Sequence, residues 1–336
     1  MVSDDALFVS HRDELFSLSS DGLLQNWAFP AAGSDIDVKA LYGTPAVLDD
    51  VLYVPGYDGK LYALEMATGL PLWGEAFDAG DSLIGGVAAN GEAVYFGSDD
   101  GKVYSLEAAT GRPRWATPFQ ASKGIWSSPT IAGDVLYVTS LDGSLYALDA
   151  VTGIELWSFT TEAGIAAPAV ADGASGFVFI GGFDSRLRAI DPDTKAEVWS
   201  VKADNWFWTD PLIAGGVIYA GSLDGKVYAH ATNDGSERWR QPFDTGDAVR
   251  AAPLLVGSTL IVVDTSGVVH AIDIEDGTAS RSPLDLEADV FADPVLFTMA
   301  FSEGDTTVEI LVVTTKGELV RIDPETLGII ARVPLT

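Results

Sequence analysis

The sequence predicts an all-β fold, an eight-bladed β-propeller of four-stranded antiparallel blades whose first blade lacks its inner strand. Three observations support this prediction. An eleven-residue pattern returns at a period of 40 to 46 residues, short alternating apolar runs separated by turn residues fill each period, and helical periodicity is absent. Because one small sheet cannot bury both of its faces, the copies must pack against one another.

The repeated pattern is clearest in "ALDAVTGIELW" (147–157) and "ALEMATGLPLW" (63–73). The last two repeats keep the frame but carry Arg281 and Arg332 where the others have tryptophan. We predict that each tryptophan docks on the neighbouring blade, and that the small residue opening each motif, such as Ala147, leaves room for the ring. The predicted docking residues are Trp27, Trp73, Trp115, Trp157, Trp199 and Trp239.

One repeat shows how the four strands of a blade follow from the pattern. Strand A covers 129–132, strand B 135–140, strand C 144–150 and strand D 154–160. Asp142-Gly143 separates strands B and C, and this pair suits the positive φ of a tight hairpin. The repeated tryptophan therefore falls on strand D, the outer strand.

The first repeat is short. A strand A before "ALFVS" (6–10) would need residues that precede Met1, so we predict 31 strands, or a stub at residues 1–4. We interpret the chain as a fragment whose first strand was trimmed with a leader; the alternative is an intrinsically incomplete blade. The predicted single domain spans 1–336, with blades at about 1–30, 43–78, 84–119, 127–161, 166–202, 210–244, 251–285 and 291–336.

Composition excludes several functional classes. Cysteine is absent, which removes disulfides, thiolate catalysis and cysteine metal sites. The 19 basic and 49 acidic side chains give a formal net charge of −30, which repels nucleic acid phosphates, so we expect no nucleic acid partner. The apolar runs are strand-length and the N-terminus has no signal core, so we expect no direct membrane insertion. We also predict that the propeller is a monomer.

The candidate binding surface lies on the crossovers, the segments that join one blade to the next. Most crossovers contain only small or aliphatic residues. Aromatic and charged side chains occur in "KGIWSSP" (123–129), "DNWFWTDP" (204–211), "AVRAAP" (248–253) and "VFADP" (290–294). Such a cluster suits a sugar, a planar ligand or a peptide. The structural alternative is that the tryptophans of 204–211 pack internally. The candidate residues are Lys123, Trp126, Trp206, Phe207, Trp208, Asp210, Arg250, Phe291 and Asp293.

Other motifs are interpreted structurally. The hairpin "GFDSRLRA" (182–189) carries two arginines and is expected to be a salt-bridged turn. The three histidines fall in separate repeats without ligand spacing, which does not indicate a metal site. We predict no catalytic residue, no metal and no cofactor.

The spelling A-x-D-x-x-T-G-x-x-x-W resembles the tryptophan-docking motif of the pyrroloquinoline-quinone-like (PQQ-like) propeller repeats. Eight-bladed quinoprotein alcohol dehydrogenases and the barrel-assembly lipoprotein of Gram-negative bacteria carry such repeats. The resemblance covers nearly the whole chain and implies the fold, whereas function depends on sites grafted onto it. Many quinoprotein relatives hold the quinone with a disulfide of adjacent cysteines, and this chain has no cysteine.

We therefore expect a noncatalytic, extracytoplasmic interaction or scaffold propeller that binds a protein partner through its crossover face. The resemblance to the lipoprotein implies a membrane-associated partner and a periplasmic or extracellular location, with anchoring through a segment outside this chain as an option. The alternative function is a small-molecule or glycan receptor at the mouth of the central channel. A quinone-dependent dehydrogenase is the third hypothesis.

Overall fold

The computed structural model describes residues 6–19, 23–300 and 306–335 of the chain. Within these residues 31 strands form eight antiparallel sheets, with three strands in the first sheet and four in each of the others. The predicted all-β, eight-bladed fold with a three-stranded first blade is confirmed. The alternative stub at residues 1–4 lies outside the described residues. The chain divides into two compact units, Met1–Ala169 and Val170–Thr336.

The first unit contains sheets one to four, and in each the strands pair in chain order. Its strands are β1 (Ala6–His11), β2 (Glu14–Ser19), β3 (Gln25–Phe29), β4 (Ala46–Leu48), β5 (Val51–Pro55), β6 (Lys60–Glu65), β7 (Phe77–Asp78), β8 (Val87–Asn90), β9 (Ala93–Gly97), β10 (Lys102–Glu107), β11 (Phe119–Gln120), β12 (Thr130–Ala132), β13 (Val135–Thr139), β14 (Ser144–Asp149) and β15 (Glu155–Thr160).

The second unit contains sheets five to eight with the same order of pairing. Its strands are β16 (Val170–Ala171), β17 (Val178–Gly181), β18 (Arg186–Asp191), β19 (Ala196–Lys202), β20 (Leu212–Ala214), β21 (Val217–Gly221), β22 (Lys226–Ala231), β23 (Phe243–Asp244), β24 (Leu254–Val256), β25 (Thr259–Val263), β26 (Val268–Asp273), β27 (Leu284–Asp285), β28 (Val295–Ala300), β29 (Thr306–Val313), β30 (Glu318–Ile322) and β31 (Ile329–Pro334).

The hydrophobic core of each unit lies between consecutive sheets. Tyr53 of the second sheet packs in one cluster with Phe96 of the third. In the second unit, Phe179 of the fifth sheet shares a cluster with Ile218 of the sixth. Alternating side chains of each strand therefore serve two different interfaces, as expected for sheets buried on both faces.

The prediction that every docking tryptophan lies on an outer strand is wrong for Trp73, Trp115 and Trp239, which occupy bends before β7, β11 and β23. The spacing explains the difference. In the fourth sheet, Phe159 pairs with β14 two positions after Trp157, whereas in the second sheet Phe77 pairs with β6 four positions after Trp73. The two extra residues bulge outward and shorten the outer strand to two residues.

Each of five tryptophans covers a glycine in the turn of the next sheet within its own unit. The Trp73 Nε1 donates to the Ala108 carbonyl at 3.0 Å, and a Cβ added to Gly111 would lie 2.8 Å from the Trp73 ring. Gly111 has a φ of 71°, so the turn and the ring both require glycine. The same arrangement joins Trp27 to Gly69, Trp115 to Gly153, Trp199 to Gly235 and Trp239 to Gly277.

The sequence predicted that the small residue opening each motif leaves room for the tryptophan ring. In the fourth sheet this residue, Ala147, instead pairs with Trp157 of its own sheet. The glycine of the next sheet is what allows the ring to approach. In the eighth sheet, Leu327 with a φ of 56° occupies this turn position, and Arg281 of the seventh sheet stands in place of tryptophan.

Candidate functional site

Hairpins and crossovers share one face within each unit. Here a hairpin is the turn between the second and third strands of a four-stranded sheet. In the sixth sheet, the Leu223 amide donates to the Trp206 carbonyl at 2.9 Å, and the Val249 amide donates to the Ser222 carbonyl at 3.0 Å. The hairpin is thus fixed between the crossovers on either side of it, and equivalent bonds fix the hairpin of the fourth sheet.

The crossover before the sixth sheet directs alternate side chains of its Trp-Phe-Trp segment to opposite sides, as in any extended segment. Phe207 is fully buried and lies 5.6 Å from the Tyr228 ring, edge to face. It therefore contributes to the core and has no surface to offer a partner. Trp206 and Trp208, the residues on either side, point out of the core and remain partly exposed.

These two tryptophans enclose Phe183, a residue of the fifth sheet's hairpin. The Phe183 ring centroid lies 4.5 Å from that of Trp206 and 5.3 Å from that of Trp208, and both pairs are stacked. Aromatic pairs of this kind contribute about 0.5–1.5 kcal/mol beyond their buried area. The alternative prediction, that Trp206 and Trp208 pack internally, is therefore correct for one face of each ring, which packs on Phe183.

Arg250 extends this row of rings. Its guanidinium carbon lies 4.7 Å from the Trp208 ring centroid and 5.2 Å from the Phe291 ring centroid. Burial lowers the pKa of Arg250, and among the described residues no carboxylate lies within ion-pair distance of it. The guanidinium remains charged and is stabilised by the rings. We call this row the aromatic stack: Phe183, Trp206, Trp208, Arg250 and Phe291.

Two carboxyl groups lie beside the stack with raised pKa values. Burial raises the pKa of Asp210 to about 7, and the charge of Asp293 adds to the rise. Burial also raises the pKa of Asp293, against the opposing effect of the Ala252 amide, which donates to its Oδ1 at 2.6 Å. Asp293 is nevertheless partly exposed to solvent, although many protein atoms surround its carboxyl group. Near neutral pH, Asp210 can therefore donate as well as accept a hydrogen bond.

The raised pKa of Asp210 predicts a pH dependence of stability. Between its ordinary pKa of 3.8 and about 7, the unfolded chain has lost this proton while the folded chain keeps it. Stability from this group is therefore lost as pH rises through that window. Asp210→Asn cannot ionise, so its free energy of unfolding relative to wild type should increase from pH 5 to pH 7 and then level off. Urea unfolding at four pH values measures this difference, and a constant difference would refute it.

The candidate residues of the first unit have separate surroundings. The Trp126 Nε1 donates to Asp99 Oδ1 at 2.7 Å, which fixes the indole on a neighbouring hairpin, and the Lys123 side chain is exposed. An exposed aromatic pair on this unit, Tyr42 and Tyr57, was not among the predicted residues, and its ring centroids lie 5.4 Å apart. Phe183 was not among the predicted residues either. The only signal for these residues was an aromatic side chain at a hairpin or crossover position.

The remaining polar motifs are structural. Arg188 bonds to Asp184 and to Glu197, which confirms that the hairpin of 182–189 is a salt-bridged turn. His270 Nε2 lies 2.9 Å from Asp264 Oδ2, and the bond to His270 helps to lower the pKa of Asp264 against burial, which raises it. Among the described residues no three histidine, aspartate or glutamate side chains are placed to hold a metal ion. In the same residues no helix is long and apolar enough to cross a bilayer.

Two solved structures similar to this chain show the fold. The crystal structure of BamB from Moraxella catarrhalis aligns with a TM-score of 0.74 at 17% identity, over 91% of this chain and 94% of that one. The computationally designed Ika8 protein aligns with a TM-score of 0.75 at 14% identity, over 92% of this chain and 94% of that one. No curated protein sequence matches the chain.

A family model gives the relationship at the level of sequence. The model described as outer membrane protein assembly factor BamB, with PQQ-like repeats, matches residues 71–175 and 166–326. These two matches cover most of the chain and include the docking motif of 147–157. The predicted resemblance to PQQ-like propeller repeats is therefore confirmed, and the chain belongs to the BamB family of PQQ-like β-propellers.

Proposed function

We propose that this protein is a noncatalytic interaction propeller whose second unit binds a protein partner through the aromatic stack. The observation that supports this function most directly is the exposure of both ends of the stack. Trp206 is 40% exposed and Phe291 is 51% exposed, while Phe183 holds the tryptophans in place from within. Rigid aromatic side chains that are already positioned lose little entropy on binding, which favours affinity.

The composition of the stack also suits a protein partner. Tryptophan and arginine are enriched among residues that dominate interface energies. Arg250 presents a positive charge on a chain whose formal net charge is −30, so it can attract an acidic group that most of this surface would repel. We infer that the partner segment combines apolar side chains for the rings with a carboxylate for Arg250.

The description of the matched family supports a cellular location and a type of partner for this interaction. The matched model is described as an outer membrane protein assembly factor. We propose by this relationship that the chain works outside the cytoplasm, in the periplasm or beyond, on a membrane-associated partner. Lys123 and Trp126, on the crossover face of the first unit, are proposed as secondary contacts with that partner.

One observation favours a second candidate function, a receptor for a glycan or another small molecule. Asp210 and Asp293 add carboxyl groups to the neighbourhood of the stack, and Asp210 can both donate and accept a hydrogen bond near pH 7. Sugar hydroxyls need such groups beside an aromatic surface. The two functions differ in whether the occupant is a protein chain, which an experiment can decide.

Site-specific photo-crosslinking in the native cell tests the proposal. Phe291→p-benzoylphenylalanine places the reactive group at the exposed end of the stack, and Ile330→p-benzoylphenylalanine is the matched control. Ile330 is 47% exposed in the same unit but lies on the outer strand β31. We expect a discrete protein adduct from position 291 and none from position 330. Adding Arg250→Ala should weaken the adduct by about tenfold or more.

The opposite outcome would select the second candidate. If position 291 gives no protein adduct, while a glycan quenches tryptophan fluorescence in the wild type and not in Trp206→Ala, the partner proposal is wrong. Equal adducts from positions 291 and 330 would show nonspecific contact and would also overturn it.

A further inference from the structure

A cavity of about 260 Å³ lies in the second unit, between the outer strand β19 of the fifth sheet and the interrupted outer edge of the sixth. None of its residues belongs to the aromatic stack or to the carboxyl pair. Tyr228, Ala229, His230 and Trp239 form a buried floor, and the exposed Lys202, Glu237 and Gln241 form the rim.

The cavity follows from the bulge that shortens the outer strand of the sixth sheet. The third strand, β22, pairs with β23 only at Lys226 and Val227, and a single bridge joins His230 to Glu237. Between these points only the Arg238 amide donates to β22, at the Ala229 carbonyl, and no outer strand pairs with this part of the backbone. Trp239, Gln241 and Pro242 line the cavity beside it. A sheet with a full outer strand, such as the fourth, covers the same positions with paired residues.

His230 replaces an aliphatic residue at this position of the repeat. The equivalent residues in the sheets with the same bulge are Leu64, Leu106 and Ile272, and each is completely buried. The sixth sheet thus has a polar side chain at a position where the other three sheets have a buried aliphatic one. The sequence predicted no function for this histidine, because its spacing to the other histidines did not indicate a metal site.

The hydrogen bonding of His230 leaves one ring nitrogen for a ligand. Nδ1 lies 2.9 Å from the Gly235 carbonyl, so Nδ1 carries the proton and donates it. Burial lowers the pKa of His230, which keeps the ring neutral and makes Nε2 an acceptor. Among the described residues no group donates to Nε2. Protein atoms do not enclose Nε2 completely, and His230 lines the cavity, so a ligand in the cavity can reach this atom.

The other polar atoms of the floor already have partners. The Tyr228 hydroxyl donates to Asp224 Oδ2 at 2.6 Å, and the Trp239 Nε1 donates to the Ile274 carbonyl at 3.0 Å. Neither of these polar atoms is therefore left for a ligand. Apolar cavities of about 150 Å³ can bind benzene, so the space here admits a ring with one or two substituents.

We propose that this cavity binds a small aromatic ring bearing a hydroxyl group, with the hydroxyl donating to His230 Nε2. The ring lies beside Tyr228 and Val201, and Lys202 at the rim can donate to the same oxygen. This chemistry is shared by free phenolic molecules and by a tyrosine side chain of a peptide.

Titration of the whole chain with p-cresol and with toluene tests the proposal. The two molecules differ only by the hydroxyl, and the indole N–H resonance of Trp239 in a ¹H–¹⁵N spectrum reports occupancy. We expect p-cresol to bind between severalfold and about tenfold more tightly than toluene, the range of one net hydrogen bond. Equal affinities, or no shift of Trp239 with either compound, would overturn the proposal.

His230→Leu is the decisive variant because leucine occupies this position in the second and third sheets. It should fold with an unchanged or higher Tm and should bind p-cresol no better than toluene. Full retention of the p-cresol preference would contradict the role of Nε2. Ile330→Ala, on the outer strand β31 and outside both sites, is the control and should leave p-cresol binding unchanged.

N-acetyltyrosinamide separates the two sources of the ring. If a peptide side chain is the natural occupant, this compound should bind at least as tightly as p-cresol because the rim leaves room for its amides. If a free molecule is the occupant, the amides should clash with Lys202 or Gln241 and binding should be weaker. Either result supports the shared chemistry, whereas failure of both compounds to bind would refute it.

Discussion

Replacing Trp73 by alanine should lower the free energy of unfolding by about 3–5 kcal/mol, the usual cost of deleting a buried aromatic ring. Trp73 is only 5% exposed, and its ring covers Gly111 of the next sheet. The substitution also removes the N–H that bonds to the Ala108 carbonyl, although the Tyr53 hydroxyl would still donate to that oxygen at 3.0 Å. The loss is therefore mainly one of packing between the second and third sheets.

Urea unfolding followed by circular dichroism measures this effect. Trp206→Ala is the matched control, because it deletes the same side chain at a partly exposed site and should cost only about 1 kcal/mol. Trp73→Phe keeps a ring and should fall between the two. Equal losses for Trp73→Ala and Trp206→Ala would show that docking on the neighbouring sheet does not stabilise this fold.

Replacing Arg321 by alanine should destabilise the protein by about 3–5 kcal/mol, because it leaves a buried carboxylate without its partner. Arg321 Nε and Nη2 each donate to the Glu309 carboxylate at 2.7 Å. Glu309 is almost completely buried between strands of the eighth sheet. The uncompensated charge, rather than the lost contact area, dominates the expected cost.

The repeat supplies the compensating change for this pair. Val135 and Ala147 of the fourth sheet occupy the positions of Glu309 and Arg321. The double substitution Glu309→Val with Arg321→Ala should therefore recover most of the lost stability, since apolar replacement of a buried ion pair is often neutral or favourable. Thermal and urea unfolding of both single variants and the double variant measure the coupling. A double variant as unstable as Arg321→Ala would contradict this explanation.

The repeat made the fold predictable to the level of single strands. The strands of the fourth sheet, from Thr130 to Thr160, begin and end within one residue of the predicted bounds. The shortened outer strands could also have been predicted, since the number of residues between Trp73 and Phe77 differs from that between Trp157 and Phe159. What misled the prediction was treating all copies of the motif as geometrically identical.

The candidate site was less predictable from the same pattern. That Trp206 and Trp208 lie on the side opposite to Phe207 followed from their alternation, but which side is buried did not. Their contact with Phe183 did not follow either, because that residue comes from another turn of the chain and no spacing relates it to 206–208. The raised pKa of Asp210 likewise depends on its burial in the folded chain and on the charge of Asp293, which lies two repeats later.

The sequence alone determined the fold class, the number of sheets and the short first sheet, because these follow from local strand and turn patterns repeated along the chain. Only the tertiary structure decided which side chains meet across repeats: the glycine beneath each docked indole, the phenylalanine between two tryptophans, and the cavity above His230. Such contacts depend on distances between segments far apart in sequence, and periodicity along the chain contains no information about those distances.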